Sequence, residues 1–467
     1  MSGPGSGTDR RSYGRAAGVL TAALATAGLL TYGFFAVASH TLGADEYGRI
    51  VVLWAVVFVL VATLFRPVEQ LLARTLAEHD AHGRPRGRVL RVAATIQLGF
   101  ALAFVAVALA LREPIESRLL EGEELLFWVL VASVLAFSAS FFLRGFLAGS
   151  RRFMVYAALV VVDGAARLGF ALAAAIGLAN AFDLIAIGIA VAPALSIGVA
   201  LLAIRRVAPE PIVGVEASDG AAPGEGGEVS AEAVPEMTLA HGGGFAAAVL
   251  VIMLSEQVFL NGGPLIANAL DGSAAAGFIF NVLMVARAPV VVFQAIAASL
   301  LPHLTRLRSR GASGAEAFRE SVRLTVGVIL ALAAVAVAVV LAAGPQLMQI
   351  AFGDNHTYDR LGLAIVAFGM GLYLSAATLN QAALALGRAR RAAACWAGCA
   401  VLFVLWTLLP VLDVFRRIEI GYAAGAAVLC GLLYVVYRET EGRPGDELVP
   451  GSPEELEARL AAADEAA

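Results

Sequence analysis

Arg287 and Glu256 are the residues of this 467-residue chain whose setting most clearly implies chemistry. Each lies near the middle of a long apolar stretch, 276–301 for Arg287 and 244–267 for Glu256. An ionised arginine at the centre of a bilayer costs about 2.5–3.5 kcal/mol on insertion scales, so it must face water, an anion or an acid. Guanidinium matches phosphate and carboxylate oxygens with paired N–H donors. Arg287 is therefore a candidate for holding a phosphate-bearing substrate, with a salt bridge to Glu256 as the structural alternative. Asp163 and Arg167 are four residues apart, on one face of a helix, and read first as an intrahelical ion pair. Arg66 and Arg144 close other apolar stretches, where long side chains snorkel to the interface or form a basic mouth that meets lipid phosphates. The candidate substrate-binding residues are thus Arg287, Arg66, Arg144 and Arg167. Glu256 and Asp163 are the candidates for cation coupling or ion pairing.

Other chemistry is excluded. The sequence contains no lysine, so neither a phosphate-binding P-loop nor a lysine Schiff base can be built. Cys395, Cys399 and Cys430 fall in apolar stretches and read as small apolar residues, with no disulfide framework and no metal site. No catalytic residue and no cofactor is expected: the chain reads as a transporter rather than an enzyme.

The elements that position these residues are read from hydropathy. The chain is 60% hydrophobic and 15% charged, with a mean hydropathy of +0.81, a balance that requires lipid as solvent. About twelve apolar stretches cover 17–39, 50–65, 92–111, 125–143, 154–177, 184–204, 244–267, 276–301, 324–341, 361–386, 392–411 and 420–437. Most reach the roughly 20 residues that a helix needs to cross about 30 Å of hydrocarbon. The alternation of a membrane barrel is absent. The expected architecture is all-α and integral to the membrane, with about 12 transmembrane helices in two six-helix bundles.

Arginine crowds every second loop: Arg10, Arg11 and Arg15, then Arg84 to Arg91, Arg151 and Arg152, Arg205 and Arg206, Arg306 to Arg323, Arg388 to Arg391, and Arg438. The positive-inside rule then places both termini in the cytoplasm of a plasma-membrane protein. Ala36-Val37-Ala38 resembles a signal-peptidase site, but the apolar run before it exceeds the usual signal core of about 7–15 residues, so the first stretch reads as a span. The organisation expected is a cytoplasmic N-terminal tail (1–16), a first bundle (17–206), a disordered Gly/Ala/Pro/Glu-rich linker (207–241), a second bundle (242–438) and an acidic cytoplasmic tail (439–467). Pro67, Pro193, Pro264 and Pro289 are expected to interrupt helices, and Trp54, Trp128 and several tyrosines to anchor span ends at the interface. The net charge of −4 implies no nucleic-acid partner.

The halves resemble each other. Leu42-Gly43-Ala44-Asp45-Glu46-Tyr47-Gly48 before the second span corresponds to Leu270-Asp271-Gly272-Ser273-Ala274-Ala275-Ala276-Gly277 before the eighth, and 146–152 corresponds to 384–390. Six spans per half make this a parallel pseudo-repeat, of the kind that places a substrate between halves.

The 42–48 segment, the turn Arg144-Gly145-Phe146-Leu147-Ala148-Gly149-Ser150-Arg151-Arg152-Phe153, Ala288-Pro289 through Leu301-Pro302, and Phe352-Gly353-Asp354 together resemble the polysaccharide-biosynthesis (Wzx-type) flippases of the MOP superfamily. MATE exporters are relatives of that family, and because its cation-coupled exporters often place a carboxylate in the seventh span, the resemblance implies Glu256 as the residue that would hold a coupling cation. The resemblance implies a V-shaped transporter that moves a polyprenyl-pyrophosphate-linked oligosaccharide between leaflets by alternating access. Its partners would be that lipid-linked sugar, membrane lipids, and the polymerase or glycosyltransferases of surface-polysaccharide assembly. The rival readings are a MATE-like cation-coupled multidrug exporter and a non-transporting scaffold for polysaccharide enzymes.

Overall fold

The structure is a computed structural model describing residues 6–81, 84–204, 206, 239–308, 312–353 and 358–441. The expected linker, apart from the residues that begin its following helix, and the tail beyond 441 lie outside the described residues. All regular structure among the described residues is helical. The first half comprises α1 (Ser6–Thr41), α2 (Ala44–Leu64), α3 (Arg66–Ala81), α4 (Gly87–Ala110), a single turn α5 (Arg112–Pro114) leading into a π-helical turn (Ile115–Leu119), α6 (Glu124–Gly149), α7 (Phe153–Ala175) and α8 (Ala181–Ile204). The second half comprises α9 (Leu239–Arg308), α10 (Ala312–Phe352), α11 (Arg360–Ala385), α12 (Ala389–Leu408) and α13 (Val414–Glu441).

Eleven helical segments among the described residues are long and apolar enough to cross a membrane. One of them, Ala247–Arg287, is bent within α9 at Gly272, which raises the helices to twelve. The chain is a multi-pass membrane protein.

Gly272 has φ +84, a left-handed value that costs glycine nothing and a side chain much more. It turns α9 into a hairpin. A Cβ on Gly263 of the first arm would lie 3.1 Å from a methyl of Leu283 on the second, so the arms run back alongside each other. The interruptions expected at Pro264 and Pro289 are not there: Gly272 is the non-helical residue inside α9. Pro193 likewise sits inside an unbroken α8. A proline removes one helical hydrogen bond, whereas Gly272 supplies a backbone angle no helix contains, and the chain reverses where the second occurs. At Pro67 the expectation and the structure agree, since α2 ends at Leu64 and α3 begins at Arg66.

Each half has its own core. One joins residues of α9 to α13, among them Phe259, Leu363, Trp396, Phe403 and Tyr422. The other joins α1, α2, α4, α6, α7 and α8 and reaches into the second half at Phe280, Met284 and Phe352. The bridge is the packing of α2 on the second arm of α9. Here the two corresponding segments meet: a Cβ on Gly48 would collide with the carbonyl of Ser273, and one on Gly277 would lie 2.9 Å from the Tyr47 ring and 3.2 Å from Gly48 Cα. Hydrogen bonds ring this crossing. Tyr47 donates to Asn281, Asn268 donates to the Leu119 carbonyl at 3.3 Å, and Ser273 donates through N–H and hydroxyl to the Glu121 carboxylate, each at 3.1 Å. Arg49 holds Glu121 and Glu123 at 3.1 and 2.6 Å. All of these lie at the end where α2 begins, and they tie the halves together there.

Candidate functional site

The charged residues of the first half are gathered by one close helix crossing. Gly145 and Gly149, four residues apart on α6, lack the side chains that would strike the backbone of α3; a Cβ at either would lie 2.8 Å from the carbonyl of Glu69 or Ala73. Small residues at that spacing let membrane helices approach. The approach sets Arg144 beside Glu69 and Asp163. Arg167 NH2 donates to both oxygens of Asp163 at 2.8 Å, and Arg144 NH2 stands 3.7 Å from the same carboxylate. The Arg167 guanidinium is buried over the Trp54 ring, 4.7 Å from its centroid, and Arg144 covers Phe141 at 4.9 Å. Glu69 accepts a hydrogen bond from Tyr156 at 3.0 Å.

Three expectations change. Arg144 turns inward to an acid and a ring rather than snorkelling. Trp54 is buried among Phe34, Phe35 and Phe58 and is no interface anchor. Glu69, expected with Arg66 at the end of the second span, and Tyr156, which sequence reasoning did not assign to any site, belong to the charged cluster. The signal was there in the glycine spacing 145–149, which brings α3 onto α6. Trp128, by contrast, is exposed near the start of α6 with Arg112 against its ring, as an anchor would be.

In the second half Glu256 and Arg287 stand on opposite arms of the α9 hairpin. Each lies about 23 Å along its arm from Gly272 at a rise of about 1.5 Å per residue, which brings them to similar depth. They nevertheless form no ion pair among the described residues. The basic neighbour of Glu256 is Arg66, an exposed residue of the first half. The ionisable neighbours of Arg287 are three tyrosines: Tyr32 of α1, Tyr373 of α11 and Tyr422 of α13. Arg287 Nε and one terminal nitrogen are buried with no hydrogen-bond partner. Tyr32 donates instead to the Met284 carbonyl at 2.9 Å, and Tyr422 to the Met370 sulfur at 3.3 Å. The tyrosines escaped notice because the rule for tyrosine in membranes places it at span ends, and these three lie inside.

Taken together, Arg66, Arg144, Arg167 and Arg287 face Glu69, Asp163 and Glu256, one more cation than anion. Arg167 is committed to Asp163. Arg287 has no acidic partner among the described residues, and so has free donors for an incoming anion. Among the described residues no group of three or more His, Cys, Asp and Glu could hold a metal ion.

The Asp163 pair makes a direct prediction. Asp163→Ala leaves the buried Arg167 without its counter-charge and should destabilise the protein by about 3–5 kcal/mol, seen as a lower unfolding temperature in detergent. Adding Arg167→Met should recover most of it. A single variant as stable as the parent would show that solvent and the Trp54 ring already stabilise the Arg167 charge.

No family model matches the sequence, and no curated protein is similar to it in sequence. Solved structures do match. An inward-facing multidrug resistance MATE family transporter of the MOP superfamily superposes with a TM-score of 0.63 at 13% identity, over 91% of this chain and 98% of its own. The chain has the MATE fold. The Vibrio cholerae MATE transporter VcmN in its bent form agrees with a TM-score of 0.59 at 16% identity, over 93% of this chain and 98% of that one. A eukaryotic MATE transporter, AtDTX14, agrees at 0.56 and 14%, over 93% and 98%. These neighbours are transporters rather than enzymes. On this MATE fold the corresponding 42–48 and 270–277 segments are the ones in contact, and the charged side chains described above come from both halves.

Proposed function

We propose that this MATE-fold chain is a transporter of an anionic lipid-linked substrate, a polyprenyl-pyrophosphate-linked oligosaccharide bound for surface-polysaccharide assembly. The observation that carries the reading is Arg287: a guanidinium deep between the halves, with buried N–H groups unsatisfied and no acid to neutralise it among the described residues. A buried donor left unpaired costs about 1–3 kcal/mol, more when charged, so such a group is maintained where a ligand repays it. The Arg66, Arg144, Arg167 and Arg287 set, one charge in excess, favours a diphosphate over a cation, because a cavity attracts substrates of opposite sign. A multidrug exporter of cations rests on likeness of fold alone and is opposed by this balance. In the proposed orientation the arginine-rich loops and both termini face the cytoplasm. The polymerase or glycosyltransferases that use the delivered sugar are the partners this reading implies.

The test is a leaflet-sidedness assay for lipid-linked sugars in cells depleted of the protein. The expected result is accumulation of a defined precursor in the cytoplasmic leaflet, relieved on re-expression. Unchanged sidedness of every lipid-linked sugar, together with increased sensitivity to cationic drugs, would replace the proposal with the exporter reading.

A further inference from the structure

The second arm of α9 meets the first half along one face. From Ser273 the contacts recur at Gly277, Asn281 and Met284, steps of three or four residues that keep to one side of a helix. Ser273 donates to Glu121, Gly277 lies against Tyr47 and Gly48, Asn281 accepts from Tyr47, and the Met284 carbonyl accepts from Tyr32 at 2.9 Å. The Phe35 ring, one turn along α1 from Tyr32, packs on Phe280 with centroids 4.5 Å apart. Arg287 is the next position in the series. The seam between the halves therefore runs from the closed end up to the arginine assigned to the substrate, and Tyr32 makes its last hydrogen bond before that arginine.

The Tyr32 hydroxyl carries a single proton to donate. In this structure that proton goes to Met284, a bond from the first half to the second. Tyr32 is also a neighbour of Arg287, whose Nε and one terminal nitrogen have no hydrogen-bond partner. An anion held by Arg287 would offer the hydroxyl a charged oxygen, an acceptor about twice as strong as a neutral carbonyl. Both bonds cannot be made at once. The other two tyrosines beside Arg287 differ in this respect. Tyr373 and Tyr422 belong to the second half, as Arg287 does, and Tyr422 donates to the Met370 sulfur of that same half. Redirecting their hydroxyls breaks no bond between the halves.

We propose that Tyr32 couples occupancy of Arg287 to separation of the halves: a diphosphate oxygen bound by Arg287 takes the Tyr32 hydroxyl away from the Met284 carbonyl and undoes the seam at its inner end. This rests on the anionic substrate assigned to Arg287 above. A ligand shifts a conformational equilibrium only by contacts that differ between the two states, and the Tyr32 hydroxyl supplies that difference. The empty chain keeps the seam shut. The loaded chain has lost its innermost hydrogen bond among the described residues, and the contacts at Asn281, Gly277 and Ser273 are left to part in turn.

The test is the distance between spin labels at Ser117→Cys of the first half and Leu412→Cys of the second, both exposed at the closed end, measured by pulsed electron paramagnetic resonance. The purified full chain carries alanine at Cys395, Cys399 and Cys430. The probes are inorganic pyrophosphate and farnesyl diphosphate, and binding is read separately as a rise in unfolding temperature. Both probes should stabilise the parent and lengthen the label distance, and Arg287→Ala should lose both effects. Tyr32→Phe, which keeps the ring, should show the longer distance without any probe, enriched roughly two- to tenfold by loss of one neutral hydrogen bond. It should bind pyrophosphate about tenfold or more weakly, with no further lengthening. Parental lengthening in Tyr32→Phe, or binding to the parent with no lengthening, overturns the coupling and leaves the anion site at Arg287 standing. No stabilisation by either probe, or stabilisation indifferent to Arg287→Ala, overturns the anion site and the coupling with it. A response to pyrophosphate that farnesyl diphosphate does not reproduce keeps the coupling but assigns it to a free anion instead of a lipid headgroup.

Discussion

Arg287→Ala is expected to insert, fold and retain an unfolding temperature at or above that of the parent, yet lose most transport. The stability half follows from the unsatisfied buried N–H groups: deleting them removes a desolvation cost and breaks no ion pair. The transport half follows from the contact proposed. A hydrogen bond to a charged group is worth about 1.5–3 kcal/mol, so its loss weakens substrate binding roughly 10- to 150-fold. Arg287→Lys keeps the charge but not the planar fork and should retain an intermediate fraction. The measurement is leaflet translocation of the lipid-linked sugar in reconstituted vesicles, normalised to inserted protein. Because Glu256 and Arg287 are not paired, Glu256→Ala should not rescue Arg287→Ala. Full transport by that double variant would refute the substrate-binding role.

Gly48→Val should be the most damaging single change at the joint between the halves. A side chain at 48 enters the backbone of Ser273 and Ala274, which cannot move without lifting the second arm of α9 off α2. Overpacking against side chains costs about 1–3 kcal/mol, and a clash with backbone costs more, enough to shift a two-state equilibrium by tenfold or beyond. The readout is a paired-cysteine cross-link across the Glu121–Ser273 contact, in a chain whose Cys395, Cys399 and Cys430 have been replaced by alanine. The parent should cross-link efficiently, Gly48→Ala less, and Gly48→Val hardly at all, with transport lost in parallel. Parental cross-linking in Gly48→Val would mean that this crossing is not what closes the end.

The number of spans and the most costly charges were legible in the residues because both follow from local rules. Twenty apolar residues suffice to cross a bilayer whatever packs beside them, and Asp163 meets Arg167 because four residues make about one helical turn. The 42–48 and 270–277 segments could be matched in sequence, but not seen to touch. Their contact depends on glycines whose importance lies in what stands opposite. The same limit explains the errors. Trp54 obeyed a rule about span ends until Arg167 took its ring, and Pro264 and Pro289 were given a role that belongs to the backbone angle of Gly272.

By itself, then, the order of residues determined an all-helical membrane chain in two halves, with arginine crowded into alternate loops and isolated charges in Arg287 and Glu256. Beyond the Asp163–Arg167 pair, tertiary structure decided which charges are neutralised. Glu256 faces Arg66 from the other half, Arg144 shares Asp163, and Arg287 is left among Tyr32, Tyr373 and Tyr422. The physical reason is that desolvation and pairing depend on distances between side chains far apart in sequence, set only when α3 closes on α6 over Gly145 and Gly149 and α2 closes on α9 over Gly48 and Gly277.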